Sequence, residues 1–249
     1  MPSLDHSAFR EAIVLAAGKS TRIAPIAAGL PKPLMPVEGV SILVRNLRWL
    51  RGQGVGRVWI NLHHQPQAIR DAMGDGSELG LEVIYVDEPK ILGTAGAVQN
   101  IASRWTKTAM VVYGDNLIQT DLAPLLAGHQ RARAAVTVAL FDRRLHPHTG
   151  IAGGRVELDG RGRILAFREG AGDEVSPMVN AGIYLVEPEA VSLIPSGVFF
   201  DFGHDLFPAM LAAGRLIHGE LITGYCLGLD TPESYREALR LIAEGRVKL

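Results

Sequence analysis

The spacing of apolar and polar positions along this chain shifts between a strand period and a helix period, and those shifts predict most of its elements. A short apolar run over 13–16 predicts a buried strand over 11–16. It opens directly into Ala17-Gly18-Lys19-Ser20-Thr21-Arg22, a loop of small residues, and Pro31-Lys32-Pro33 follows. Apolar positions 43, 44, 47 and 50 repeat at helical spacing, so a helix is expected over 42–52, ended by Gly52 and Gly54. Further strands are expected over 55–62, 81–86, 108–113 and 134–141, with helices over 66–73, 97–102 and 122–133. Gly93-Thr94-Ala95-Gly96 reads as a turn, and Gly114-Asp115-Asn116 as the end of the most apolar strand. Strand and helix in alternation are the pattern of a parallel α/β sheet.

The pattern changes beyond residue 150. Residues 153–164 predict a hairpin that turns at Asp159-Gly160. A strand over 181–186, a helix over 205–213 and an extended stretch over 221–229 follow. The last helix is expected over 232–244, with Thr231-Pro232 as its cap and first turn. No linker rich in proline, serine or charge divides the halves. A single domain over 1–249 is therefore expected, the second half completing the sheet and forming a lobe over a cleft.

Composition narrows the partners. The 249 residues are 47% hydrophobic with a formal net charge of -1. That balance gives no basic face for a nucleic acid. No apolar run approaches the roughly 18 residues of a membrane span, and the first ten residues lack the layout of a signal peptide. The single cysteine, Cys226, leaves no intrachain disulfide. The expected setting is cytoplasmic, with no membrane partner.

The candidate chemistry starts in the first loop. A buried strand opening into a glycine loop suits a polyanion at the carboxyl edge of an α/β sheet. Arg22 and Lys32 add cations that could reach the same anion. The loop is not a GxxxxGK[ST] phosphate loop, because Ile13 stands where the first glycine belongs. Asp115, at the end of an apolar strand, suits Mg²⁺ held between protein and phosphate oxygens; a turn residue is the other reading. His63 and His64 are adjacent and lack a zinc spacing. Ser20 lacks the GxSxG context of a nucleophile. Glu169 and Asn180 flank strands of the second half, either reading ligand hydroxyls or ending solvated loops.

The stretch from Leu15-Ala16-Ala17-Gly18 through Thr21-Arg22 to Pro31-Lys32-Pro33-Leu34 resembles the signature of the sugar-phosphate nucleotidyltransferases, with Ser20 in place of a usual glycine. The likeness continues through Asn61-Leu62-His63-His64, Leu92-Gly93-Thr94-Ala95-Gly96, Gly114-Asp115, Asn180-Ala181-Gly182 and Asp205-Leu206-Phe207-Pro208. It implies a Rossmann-like α/β fold with a mixed, mostly parallel central sheet flanked by helices, its first half binding nucleotide and its second half sugar phosphate. It implies direct attack of a sugar 1-phosphate on the α-phosphorus of a nucleoside triphosphate, with Mg²⁺ and release of pyrophosphate. In that likeness Arg22 would bind the β- and γ-phosphates, Lys32 would bridge the α-phosphate and the incoming phosphate, and Asp115 would ligate the metal. Nucleotide contacts would fall to Leu15, Ala16, Ala17, Gly18, Ser20, Thr21, Glu88, Gly93, Thr94 and Gly114. Sugar-phosphate contacts would fall to Gly150, Arg168, Glu169 and Asn180.

The chain departs from the family at two positions. The family's Glu-Lys-Pro becomes Glu169-Gly170, so the lysine that grips the sugar phosphate is missing; Arg168, Arg143 and Arg144 are the candidates to replace it. The second metal aspartate is expected at a position that Gly228 occupies, and Asp230, two residues on, is the candidate substitute. The departures motivate two alternatives, a non-sugar or amino-sugar phosphate acceptor and a degenerate nucleotide-sugar-binding regulator. No hexapeptide repeat of a C-terminal β-helix is visible. The motifs resemble mannose or heptose 1-phosphate guanylyltransferases, while the Asp-Thr ending resembles cytidylyl enzymes, so GTP, CTP and UTP all remain candidates. A monomer or homodimer is expected.

Overall fold

The computed structural model describes residues 11–105, 107–149, 153–170 and 175–249. β1 (Glu11–Leu15) leads through the first loop to a small hairpin, β2 (Pro36–Val37) and β3 (Val40–Ser41). α1 (Ile42–Gly52), β4 (Arg57–Leu62), α2 (Pro66–Met73), β5 (Glu82–Asp87), α3 (Gly93–Ile101) and β6 (Ala109–Tyr113) alternate after it. β7 (Asn116–Gln119), α4 (Ala123–Ala132), β8 (Val136–Asp142) and β9 (His148–Thr149) complete the first half. The second half holds β10 (Arg155–Leu158), β11 (Ile164–Arg168), β12 (Met178–Val186), α5 (Pro188–Val191), α6 (Phe207–Ala212), β13 (Ile217–Leu221), β14 (Tyr225–Gly228) and α7 (Pro232–Ala243).

The main sheet has nine strands in the order β11-β10-β12-β6-β1-β4-β5, with β8 also paired to β12, and β13 to β8. β1 is parallel to both β4 and β6. Only β11 and β12 run against the rest, so the sheet is mixed and mostly parallel. This is the Rossmann-like arrangement with helices on both faces, and no β-helix occurs among the described residues. β1 shows why its residues from Ala12 to Leu15 are all apolar. Ala12 and Val14 pack into one core with α1 and α4, while Ile13 and Leu15 pack into the other with α3.

α1 and α7 follow their sequence signals. Ser41 caps α1 by accepting from Val44 N at 3.3 Å. Thr231 and Ser234 form a reciprocal capping box at α7, with Pro232 in its first turn. Among the described residues no helix is long and apolar enough to cross a membrane.

Four expectations change. The Gly93–Gly96 stretch is the first turn of α3, not a turn ahead of it: a Cβ on Gly93 would lie 2.5 Å from the Phe200 carbonyl oxygen, and one on Gly96 2.8 Å from that of Val198. The glycines therefore mark a close approach of backbone. The stretch over 221–229 is two strands in different sheets, because Gly224 lets the chain press against Gln119 between them. The helix expected over 205–213 starts with a wide π turn over Phe202–Leu206, which Asp201 caps. β8 is not a fifth neighbour of the parallel strands; it lies antiparallel to β12.

A smaller sheet, β7-β14-β9, stands apart from the main one. β7 begins opposite the end of β14, with Asn116 paired to Gly228. The residues just outside the pair, Asp115 and Asp230, therefore emerge at the same end. The chain reaches Asp115 through Gly114, whose N–H donates to the Leu15 carbonyl at 2.9 Å. A Cβ there would sit 2.7 Å from Val14 Cγ1 and 3.0 Å from the Leu15 oxygen. Gly114→Ala is expected to lower the unfolding free energy by about 1–3 kcal/mol, seen as a lower urea midpoint. Gly18→Ala, where nothing lies within 4 Å of the added atom, should stay within about 0.5 kcal/mol of the parent.

Candidate active site

The carboxyl ends of β1, β4 and β6 form one edge of a cleft of about 270 Å³. β1 delivers Leu15 to Gly18, β4 delivers Asn61, β6 delivers Tyr113 and Asp115, and Glu88, Gly93, Thr94, Phe199 and Asp201 close the other side. Thr21 lies in the exposed turn that follows. Ser20, where the resembling family has glycine, adopts φ +51°. That left-handed backbone costs a non-glycine residue about 1 kcal/mol.

The loop is anchored from β4. Asn61 Oδ1 accepts from Ala16 N at 2.8 Å, and Asn61 Nδ2 donates to Glu88 Oε1 at 2.8 Å. Glu88 is 3% exposed, and its Oε2 accepts from Leu92 N at 3.1 Å. His63 Nδ1 lies 2.8 Å from the Glu88 carbonyl oxygen, a packing role and not a metal ligand set. The first N–H groups of α3, on Ala95 and Gly96, are taken by the Phe200 carbonyl. Those two donors are therefore not available to an anion.

Lys32 is the pivot. Pro31 and Pro33 flank it in a short 3₁₀ turn, and the turn sends the side chain inward until the residue is only 1% exposed. Its Nζ donates to Asp115 Oδ2 at 3.0 Å and to Asp230 Oδ1 at 2.5 Å. Arg22, 63% exposed, reaches Asp230 Oδ2 at 3.5 Å. Burial alone would pull the Lys32 pKa down, but Asp115 and Asp230 outweigh it and the pKa is raised, so the group stays cationic. Both carboxylates thus lie within bonding distance of one ammonium. Among the described residues no cluster of three or more His, Cys, Asp or Glu forms a ready metal cage. Two convergent carboxylates, with the other positions left to phosphate and water, fit the way Mg²⁺ is held at phosphate sites.

The second half supplies the far wall. Thr94 Oγ1 donates to Asp201 Oδ2 at 2.6 Å, and Asp201 Oδ1 accepts from Gly203 N at 2.9 Å. Glu169 is half-buried; burial first and the nearby Asp201 second raise its carboxyl above the usual range. Burial pushes the Tyr113 hydroxyl well up, which keeps it a neutral hydrogen-bonding group. Asn180 is buried, accepting from Gly182 N at 2.9 Å and donating to Tyr184 Oη at 2.7 Å, so its amide already has internal partners.

Two of the arginines proposed for the missing lysine, Arg168 and Arg144, face other groups. Arg168 Nε donates to Glu157 at 3.1 Å on the exposed side of β11. Arg144 is clasped by Asp142 through contacts of 2.9 and 2.6 Å, and that pairing holds the Asp142 carboxyl down at about 2. Gly150 lies outside the described residues. Cys226 is buried with its thiol pushed up by desolvation, and it packs against the Ala181 carbonyl.

Sequence reasoning assigned no role to Asn61, Tyr113, Phe199 or Asp201. Asn61 and Tyr113 stand at carboxyl ends of parallel strands, a position that the strand-end rule flags. Asp201 lies in Phe200-Asp201-Phe202, a segment that shares in the family likeness without a role attached, and Phe199 carried no local signal; only the fold returns that segment to α3.

Residues 11–244 match the family model described as nucleotidyl transferase. A mannose-1-phosphate guanylyltransferase from Mycobacterium tuberculosis is 37% identical over 227 residues, covering 90% of this chain and 62% of that protein. A UTP–glucose-1-phosphate uridylyltransferase from Synechocystis is 30% identical over 96% of this chain and 64% of that protein. The chain thus spans a little under two thirds of the length of these relatives. The crystal structure of HddC from Yersinia pseudotuberculosis shares the fold, with a TM-score of 0.77 at 20% identity over 94% of this chain and 99% of that one.

The anchoring role of Asn61 has a measurable consequence. Asn61→Leu leaves the Ala16 N–H and the Glu88 carboxylate buried without their partner. A loss of about 2–4 kcal/mol is expected in urea unfolding, and amide exchange at Ala16 should accelerate.

Proposed function

This chain belongs to the nucleotidyl transferase family, and we propose that it transfers a nucleotidyl group from a nucleoside triphosphate to a sugar 1-phosphate. An oxygen of the acceptor phosphate attacks the α-phosphorus, the bond to the β-phosphate oxygen breaks, and pyrophosphate leaves with that electron pair. The observation that carries this reading is the buried Lys32 ammonium beside two carboxylates at the edge of a cleft that opens from β1.

Each residue has a task in that reaction. The backbone from Leu15 to Gly18 and the Asn61–Glu88 pair hold the nucleotide end, with Ser20, Thr21, Gly93, Thr94 and Gly114 around it. Arg22, exposed and long, receives the β- and γ-phosphates and stabilises the leaving pyrophosphate. Lys32 brings its charge to the α-phosphate and the incoming phosphate, which lowers the repulsion between two anions. Mg²⁺ held by Asp115 and Asp230 would add charge neutralisation at the same phosphates. Glu169, Asp201 and Asn180 shape the sugar side. The alignment of the two substrates is the main source of rate, because such a displacement needs little proton transfer from the protein.

The mannose-1-phosphate guanylyltransferase relative at 37% identity supports GTP with mannose 1-phosphate as the natural pair, and a heptose 1-phosphate guanylyltransferase from Aneurinibacillus thermoaerophilus, 24% identical, supports a heptose 1-phosphate as the other acceptor. A second reading, an amino-sugar phosphate acceptor, is favoured by one observation. Glu169 and Asp201 put two neighbouring carboxylates on the sugar side, where Gly170 supplies no cation.

A matrix of four nucleoside triphosphates against mannose, heptose, glucose and glucosamine 1-phosphates, with Mg²⁺, tests the proposal through pyrophosphate release. Release is expected only when both substrates are present, and fastest with GTP and mannose or heptose 1-phosphate. Preference for glucosamine 1-phosphate would select the second reading. Pyrophosphate release from no pair would overturn both.

A further inference from the structure

A second cavity, of about 430 Å³, opens between the end of α4, the β10–β11 turn and β13. It lies at the start of β11, the end of that strand remote from Glu169. Arg131 borders it from α4, Arg161 and Arg163 from the hairpin turn, and His218 from β13.

The charges there are poorly opposed. Asp159 Oδ1 accepts the backbone N–H groups of Arg161 at 2.8 Å and Arg163 at 2.9 Å, which fastens the turn. Among the described residues the Arg161 and Arg163 guanidiniums make no direct hydrogen bond to a side chain; after the two backbone N–H groups, their charges help hold the Asp159 carboxyl below its usual range. Arg131 meets Glu220 only at 3.7 Å and is largely exposed. Three guanidiniums therefore face two carboxylates, Asp159 and Glu220. A hairpin turn needs its aspartate and glycines, but it does not need an arginine on each side of Gly162.

The floor is built from side chains that two glycines admit. His218 is 8% exposed and its Nε2 lies 3.1 Å from Glu220 Oε2. A Cβ on Gly162, itself at φ +81°, would lie 2.6 Å from His218 Cε1, and one on Gly128 would collide with the Glu220 carboxylate. A larger residue at either position would displace the His218–Glu220 pair.

We propose that this basin binds a small phosphate-bearing anion, either inorganic phosphate or a phosphate monoester, gripped by Arg131, Arg161 and Arg163. Guanidinium forks match phosphate oxygens in pairs, and the volume is in the range of small-molecule sites. The site is separate from the cleft at Lys32 and stands whether or not the proposed transfer reaction is correct.

Calorimetric titration of the full chain with inorganic phosphate and with a hexose 6-phosphate, in parent and R161A/R163A, tests it. Tungstate soaked into crystals as a phosphate mimic locates the anion. The basin should hold the tungstate, and the double variant should weaken binding by about tenfold or more while its thermal midpoint stays unchanged. Tighter binding of the hexose 6-phosphate than of phosphate assigns the site to an ester; the reverse assigns it to the free ion. Tungstate found only near Arg22 and Lys32, or equal binding by parent and double variant, would overturn the proposal.

Discussion

A lysine ammonium that is almost wholly buried must be paired, and the pairing of Lys32 organises this molecule. An uncompensated charge at that depth would be unaffordable. Its partners Asp115 and Asp230 lie 83 and 198 residues away in sequence. Three distant segments therefore have to arrive together: the proline-flanked turn, the exit of β6, and the exit of β14. The β7–β14 pairing delivers the last two to one end, and Gly114 permits the tight departure from the main sheet. The same contacts that satisfy the lysine bring two carboxylates and two cations together at the edge of the cleft.

The main sheet supplies the rest by position. Its parallel strands end at one edge, so Leu15, Asn61 and Tyr113 border a single cleft although nothing links them locally. The Asn61–Glu88 pair turns that edge into a rigid frame by holding the loop backbone at Ala16. The wall made by Asp201 and Glu169 comes from the second half, and it closes on Thr94 of α3 because Gly93 and Gly96 let the Val198–Phe200 backbone approach.

Much of this was legible in the residues. β1 reads as a buried strand, and it is one; the alternation that follows gives the α/β class, and local turn and cap signals give the hairpin at Asp159-Gly160 and the capped final helix. What was illegible depended on long-range packing. Gly93 and Gly96 look like turn residues, yet they open a helix, because the constraint on them is a neighbouring backbone. β7 is too short to carry a period. Asp201 enters the site through a contact with Thr94, 107 residues away. Asp230 lies two positions from the aspartate of the resembling family. Only the register of Gly228 against Asn116 places it past the strand end and beside Lys32 with Asp115.

That convergence predicts a shared cation site. Manganese binding in the presence of a non-hydrolysable nucleoside triphosphate, followed by electron paramagnetic resonance, examines it without turnover. Asp115→Asn and Asp230→Asn should each weaken Mn²⁺ by about tenfold or more, since each removes one carboxylate from a hard cation's shell. Unchanged Mn²⁺ affinity in the Asp230→Asn variant would contradict the account.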